Sequence, residues 1–194
     1  MKIMKINNIK PLILAMAIIF MGIVSCNQKE KSHVEEASGH SHSEGNNHDN
    51  DSNHKAPNSD DISFKNENLK STFDQYVLLR KALTDTDFEK AKSNANTLLS
   101  VVEKVDGADK VAAAAQIISK SANVDEQRTA FSDLSTELLA LVKGNLSSGE
   151  LYLAHCPMAL NNAGANWITE VNEIKNPYFG NKMMKCGVIQ ETLN

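Results

Sequence analysis

Leu69-Lys70-Ser71-Thr72-Phe73-Asp74-Gln75-Tyr76-Val77-Leu78-Leu79-Arg80-Lys81-Ala82-Leu83 decides the fold. Leu69, Phe73, Tyr76, Arg80 and Leu83 follow one another at spacings of 4, 3, 4 and 3, with Arg80 the only polar interruption. Such steps return to one side of a 3.6-residue helix and not to alternate faces of a strand, so the stretch predicts an amphipathic helix with one stripe to bury.

Downstream the pattern repeats three times. Thr86-Asp87-Phe88-Glu89 reads as a capping box, with the Thr hydroxyl and Glu carboxylate serving free N–H groups. Phe88, Ala91, Ala95, Leu98, Val102 and Val105 then form a stripe that ends at Asp106-Gly107. An Ala-rich third segment carries Val111, Ala115, Ile118 and Ala122, whose small residues allow a neighbouring helix to approach closely. Asn123 with Glu126 caps a fourth, bearing Phe131, Leu134, Leu138 and Leu141, and Gly144 supplies its left-handed end. Short connections favour antiparallel neighbours, so residues 63–144 are expected to form an up-down four-helix bundle in a mainly α protein. From Leu69 to Lys143 there is no His, Cys, Met or Trp. No Glu-x-x-His arrangement of a di-metal bundle is present, and the charges read as a solvated face.

Upstream lie an address and a tether. Residues 1–25 hold Lys2, Lys5 and Lys10 but no acid, and Pro11 to Val24 is an apolar run of 14 residues. That is short for a bilayer span and suits the core of a signal peptide. Ile23-Val24-Ser25-Cys26 resembles the lipobox of bacterial lipoproteins, which implies that Cys26 is acylated and anchors the chain to a membrane. Setting residues 1–25 aside takes the formal charge from −4 to −7, which argues against a nucleic-acid partner. Residues 26–62 are then a lipid anchor and a polar tether, with too little apolar surface to offset ordering and a reach of about 30 Å. His33, His40, His42, His48 and His54 lie in it among acids. They read either as weak capture sites for metal ions or as part of a solvated linker.

Residues 145–194 change character. Leu151-Tyr152-Leu153-Ala154-His155-Cys156-Pro157-Met158 is followed by Trp167 and by Asn176-Pro177-Tyr178-Phe179-Gly180-Asn181-Lys182-Met183-Met184-Lys185-Cys186-Gly187. Apart from Cys26, every sulfur beyond residue 25 lies here, with the one histidine outside the tether. Thiolate and thioether are soft donors that select Cu(I), or the similarly soft Ag(I). Cys156, Met158, Met183 and Cys186 are therefore candidate ligands. His155 is either a nitrogen ligand or turned away, since neighbours in an extended segment face opposite sides. A Cys156–Cys186 disulfide closing about 30 residues is the competing reading and would remove both thiolates. The methionines compete as core filler and His155 as a structural hydrogen-bonding group. Gly164, Asn176-Pro177 and Gly180 mark turns, so an irregular cap with one or two short strands, near 151–154 and 167–169, is expected to pack on the helices. A thiol oxidoreductase is disfavoured because Cys-x-x-Cys is absent.

His155-Cys156-Pro157-Met158-Ala159, Gly164-Ala165-x-Trp167 and Asn176-Pro177-Tyr178-Phe179-Gly180-x-x-Met183-x-x-Cys186-Gly187 resemble the signature of an uncharacterised helical family, a domain of unknown function. That family occurs as stand-alone bacterial lipoproteins and at the C-terminus of periplasmic adaptors of copper and silver efflux pumps. The resemblance runs from about Phe64 onward and is strongest after Tyr152. It implies heavy-metal association for Cys156, Met158, Met183 and Cys186, with His155 next, and a heavy-metal efflux component as partner. The chain lacks room for the other domains of an adaptor. The expectation is a non-enzymatic, lipid-anchored protein of the bacterial cell envelope, facing the periplasm or the surface, that sequesters or hands over Cu(I) or Ag(I). The alternative is a protein-interaction module closed by a structural disulfide.

Overall fold

The computed structural model describes residues 62–194. Cys26 and the histidines at 33, 40, 42, 48 and 54 lie outside the described residues, as do all of residues 1–25, expected to be a signal segment, and all but the last of residues 26–62, expected to be a tether. The described part is mainly helical, with two small sheets. A short strand β1 (Ser63–Phe64) leads into α1 (Glu67–Thr84), α2 (Phe88–Val102), α3 (Asp109–Lys120) and α4 (Val124–Val142). Strands β2 (Leu146–Ser148), β3 (Leu151–Cys156), β4 (Ala165–Thr169) and β5 (Val188–Leu193) follow, with a four-residue helical turn at Ala159–Asn162 and a 3-10 turn at Gly180–Lys182. Each long helix packs on the next, and α1 also meets α4.

The stripes form the core. Leu69, Phe73, Tyr76 and Leu83 of α1 are buried, as are Ala91, Ala95, Leu98 and Val102 of α2, Val111, Ala115 and Ile118 of α3, and Phe131, Leu134 and Leu138 of α4. Two capping expectations separate here. Asn123 does cap α4: its Oδ1 accepts from the N–H groups of Asp125 and Glu126, while Glu126 Oε2 reaches back to the Ala122 N–H at 2.9 Å. At α2 the cap is Asp87 and not Thr86, because the Asp87 carboxylate accepts from the Lys90 N–H. Thr86 sits at φ +59°, outside the helix, and its hydroxyl accepts from Arg128. Ala122, expected on the third stripe, is exposed because α3 stops at Lys120.

The C-terminal part is more regular than expected. β3 is the centre of a three-stranded antiparallel sheet in the order β4-β3-β5, pairing Ala154 with Trp167 and Cys156 with Ala165 on one side and Leu151 with Leu193 on the other. β1 pairs with β2 in a separate two-stranded ribbon. β5 escaped the sequence because it is an edge strand: its residues are mostly exposed, so no buried face imprints an alternating apolar pattern.

What docks this sheet on the helices is partly polar. Arg80, the interruption in the first stripe, is buried and makes an ion pair with buried Glu170 (Nη2 to Oε2, 2.6 Å), while its Nη1 donates to the Ile168 carbonyl. Tyr76 Oη accepts from the Ile168 N–H at 2.9 Å and lies 3.0 Å from Ser135 Oγ. Aromatic rings continue the contact, from Tyr76 to Phe131 (5.2 Å between centroids), Phe131 to Tyr178 (5.8 Å) and Tyr178 edge-on to Trp167 (6.1 Å). Each such pair adds roughly 0.5 to 1.5 kcal/mol beyond area burial.

The two phenols give a pH expectation. Burial pushes Tyr76 up to about 12, against the lowering effect of its hydrogen bonds to Ser135 and Ile168, and burial likewise pushes Tyr178 up. A raised folded-state value means that the folded protein holds these protons more tightly than the unfolded chain. The resulting stability is complete below about pH 10 and is lost as pH rises toward 12, at up to about 1.4 kcal/mol per pH unit for each phenol. Unfolding curves at pH 9, 10 and 11 followed by Trp167 fluorescence check this; a flat response above pH 10 would show the phenols to be solvated.

Candidate thiol site

Cys156 ends the central strand, and its side chain is fully buried. Strand alternation puts it on the same face as Ala154 and its cross-strand partner Trp167. After Pro157 and Met158 the chain turns sharply: Leu160, Asn161 and Asn162 take left-handed φ values of 51°, 58° and 68°, and Gly164 follows at 79°. Asn and Gly tolerate that region, whereas for Leu160 it costs roughly 1 to 2 kcal/mol. The turn is closed by the Gly164 N–H to Ala159 carbonyl bond (3.0 Å) and delivers the chain into β4.

The second cysteine is positioned by a different device. Asn176 is wholly buried, and its Oδ1 accepts from the N–H groups of Tyr178 and Phe179. Its Nδ2 donates to the Cys186 carbonyl at 2.7 Å, and its own N–H donates to the Met184 carbonyl. Asn176 thus ties both ends of the 176–186 loop together. The Cys186 N–H completes a turn onto the Met183 carbonyl (3.0 Å). Gly187, at φ +141°, lies flat on the sheet: a Cβ there would fall 2.8 Å from the His155 carbonyl oxygen and 2.9 Å from Trp167 Cη2. Arg128 fixes the loop from the helical side, its Nε donating to the Pro177 carbonyl at 2.9 Å and its Nη2 to the Leu83 carbonyl and Thr86 Oγ1.

The outcome is that Cys156 Sγ and Cys186 Sγ stand 2.8 Å apart, 30 positions distant in the chain. Cys186 is partly exposed where Cys156 is sealed. The hydrogen bond with the Cys156 thiol, followed by burial and the charge of Cys156, pushes the Cys186 thiol up; the Met158 backbone N–H opposes this. Trp167, the single tryptophan of the chain, pairs with Ala154 on the face of β3 that carries Cys156, its Cη2 lies close to Gly187, and its Nε1–H is buried without an acceptor.

The remaining expected ligands differ in their placement. Met158 is 45% exposed, next to the pair in sequence, and Met183 is half-buried on the turn that leads to Cys186. His155 falls on the other face of β3, as alternation requires: its Nδ1 is 2.7 Å from Oδ1 of Asn166, its partner across the strand pair. Gly164 makes room for the imidazole, since a Cβ there would lie 2.9 Å from Cε1. Among the described residues no group of three or more His, Cys, Asp or Glu side chains forms a metal cluster. Sequence reading missed Asn166, Asn176 and Arg128. Arg128 was detectable, since it stands three residues before Phe131 on the buried stripe of α4 and a charge there needs a partner.

A family model described as "Protein of unknown function (DUF3347)" matches residues 72–149, from within α1 to just before β3. The chain is therefore similar to an uncharacterised domain over its helical part, and the thiol pair lies beyond the matched stretch. No curated protein and no solved structure matches the chain.

Proposed function

We propose that this protein is a lipid-anchored, soft-metal-binding protein of the bacterial cell envelope, which takes up Cu(I) or Ag(I) at Cys156 and Cys186 for sequestration or for hand-over to a heavy-metal efflux component. The observation that carries the reading is the convergence of the two thiols to 2.8 Å. Two thiolates without a hard third ligand suit a monovalent coinage ion, which accepts two soft donors; a structural zinc ion wants four ligands. With metal–sulfur bonds of about 2.3 Å, the sulfurs must separate to roughly 4 Å or more. Cys156 is fixed in the central strand, so loading moves the Cys186 turn outward. Met183 and the exposed thioether of Met158 are the nearest soft groups in sequence able to follow it, and His155 would need to leave Asn166. In this reading the helices are an up-down four-helix scaffold, Cys26 is the acylated anchor, and the five tether histidines collect ions loosely. The protein binds and catalyses no reaction.

A second reading is favoured by the same distance, which is closer than two unbonded sulfurs rest. In it Cys156 and Cys186 form a disulfide and the cap is an interaction module without metal. Protein purified from its own compartment separates the two. The first expects about one copper or silver ion per chain with both cysteines titrating as thiols after metal removal; metal-free protein with neither thiol reactive, which still takes up no Cu(I) after reduction, supports the second and sinks the first.

A further inference from the structure

We infer that Cys156 and Cys186 form an asymmetric thiol–disulfide couple in which Cys186 is the sulfur an external thiol attacks, Cys156 is the buried sulfur released, and the partner is a dithiol reductant. The inference concerns the pair on which the proposed function rests, but adds a redox partner and a direction of exchange.

Three observations carry it. The first is accessibility: Cys156 is fully enclosed at the end of the central strand, while Cys186 sits partly exposed on a surface turn. Thiol–disulfide exchange needs a thiolate to approach one sulfur along the S–S axis from the far side, and only Cys186 offers such an approach from solvent. The second is preorganisation. The Cys186 N–H is held by the Met183 carbonyl and its carbonyl by Asn176 Nδ2, and the following Gly187 packs so closely on His155 and Trp167 that a Cβ there would not fit. Without metal these bonds keep the reduced sulfurs neighbours, and reclosure is an intramolecular step with a high effective concentration. The third is the rim. Val188, two residues past Cys186, is 57% exposed, and Met158, whose N–H reaches the Cys186 sulfur, is 45% exposed. Two exposed apolar residues, one two positions along the chain and one whose N–H reaches the sulfur, suit the apolar surface beside the reactive cysteine of a dithiol protein better than they suit a small charged thiol.

The exchange balances as follows. A thiolate of the reductant attacks Cys186 Sγ, a new S–S bond forms, and the Cys156–Cys186 bond breaks with its electron pair passing to Cys156, which takes up a proton. The second thiol of the reductant then attacks its own sulfur in the mixed disulfide, expelling Cys186, which is protonated in turn. Two electrons and two protons have passed to this protein, the reductant leaves as its disulfide, and both sulfurs become available to a soft metal.

Wild-type, full-length protein provides the test, with glutathione as the probe. The oxidised protein is mixed briefly with glutathione, quenched in acid and peptide-mapped; the adduct on Cys186 should exceed that on Cys156 by at least about tenfold. The reduced protein treated with iodoacetamide should likewise be alkylated at Cys186 first, by a similar factor. An even or reversed distribution overturns the assignment, and so does an oxidant treatment that leaves both thiols free. Neither measurement involves metal, so failure here leaves dithiolate metal binding standing, and failure to bind metal leaves the exchange asymmetry standing.

Discussion

Replacing Arg80 with alanine should lower the unfolding free energy by about 3 to 5 kcal/mol, although its partners are Glu170 and the Ile168 carbonyl and neither thiol. Its guanidinium is the main partner of buried Glu170, at 2.6 Å, and also serves the Ile168 carbonyl in β4. Without it Glu170 keeps only Lys81, 3.6 Å away and largely exposed. Solvent weakens such a pair, so a carboxylate is left in a protein interior with little compensation. The cost therefore arises less from a lost attraction than from an uncompensated charge. It follows that Arg80→Met combined with Glu170→Gln should recover most of the loss, because removing both charges removes the desolvation penalty as well. Urea unfolding read by Trp167 fluorescence measures both variants. A loss below about 1 kcal/mol for Arg80→Ala would mean that the pair is solvated and that apolar packing alone docks the sheet.

The same residue shows how far the sequence could be read. Four stripes at helical spacing, with caps and a terminal glycine, are local signals, and the helices stand where those signals fall. Most stripe positions of α1, α2 and α4 are buried, but Phe88 and Leu141 are only partly so, and Val77, Leu79, Ala82 and Val142 are buried beside the stripes because the helices are covered over more than one line of residues. Arg80 was visible as a break in a stripe, but its partner lies 90 residues on, and nothing local to either residue names the other. Thr86 and Asp87 show the limit at finer scale. Both can cap a helix, and the choice falls to Asp87 because Arg128, from another helix, takes the Thr86 hydroxyl. In the sheet, β3 and β4 carry apolar runs and could be foreseen, whereas the exposed edge strand β5 leaves no such trace.

For the site, residue chemistry was legible and geometry only in part. Cysteines at 156 and 186 can be suspected of meeting from composition alone, but what brings them together is Asn176, which the sequence marks merely as a turn beside a proline. The sidedness of His155 was open until pairing placed it opposite Asn166, because alternation has meaning only once a strand is known to exist. The thioethers of Met158 and Met183 have no such directional partner. Their flexible side chains are set by whatever fills the space around them.

Anaerobic titration of reduced protein with Cu(I), in a Cys26→Ser background and with excess free histidine to suppress binding at imidazoles, tests dithiolate capture most directly. About one Cu(I) per chain should bind, with quenching of Trp167, which pairs with Ala154 on the Cys156 face of the sheet, and both signals should vanish when Cys156 and Cys186 are replaced together by serine. Equal stoichiometry with and without those two cysteines, in variants that unfold with the same cooperativity, would contradict it.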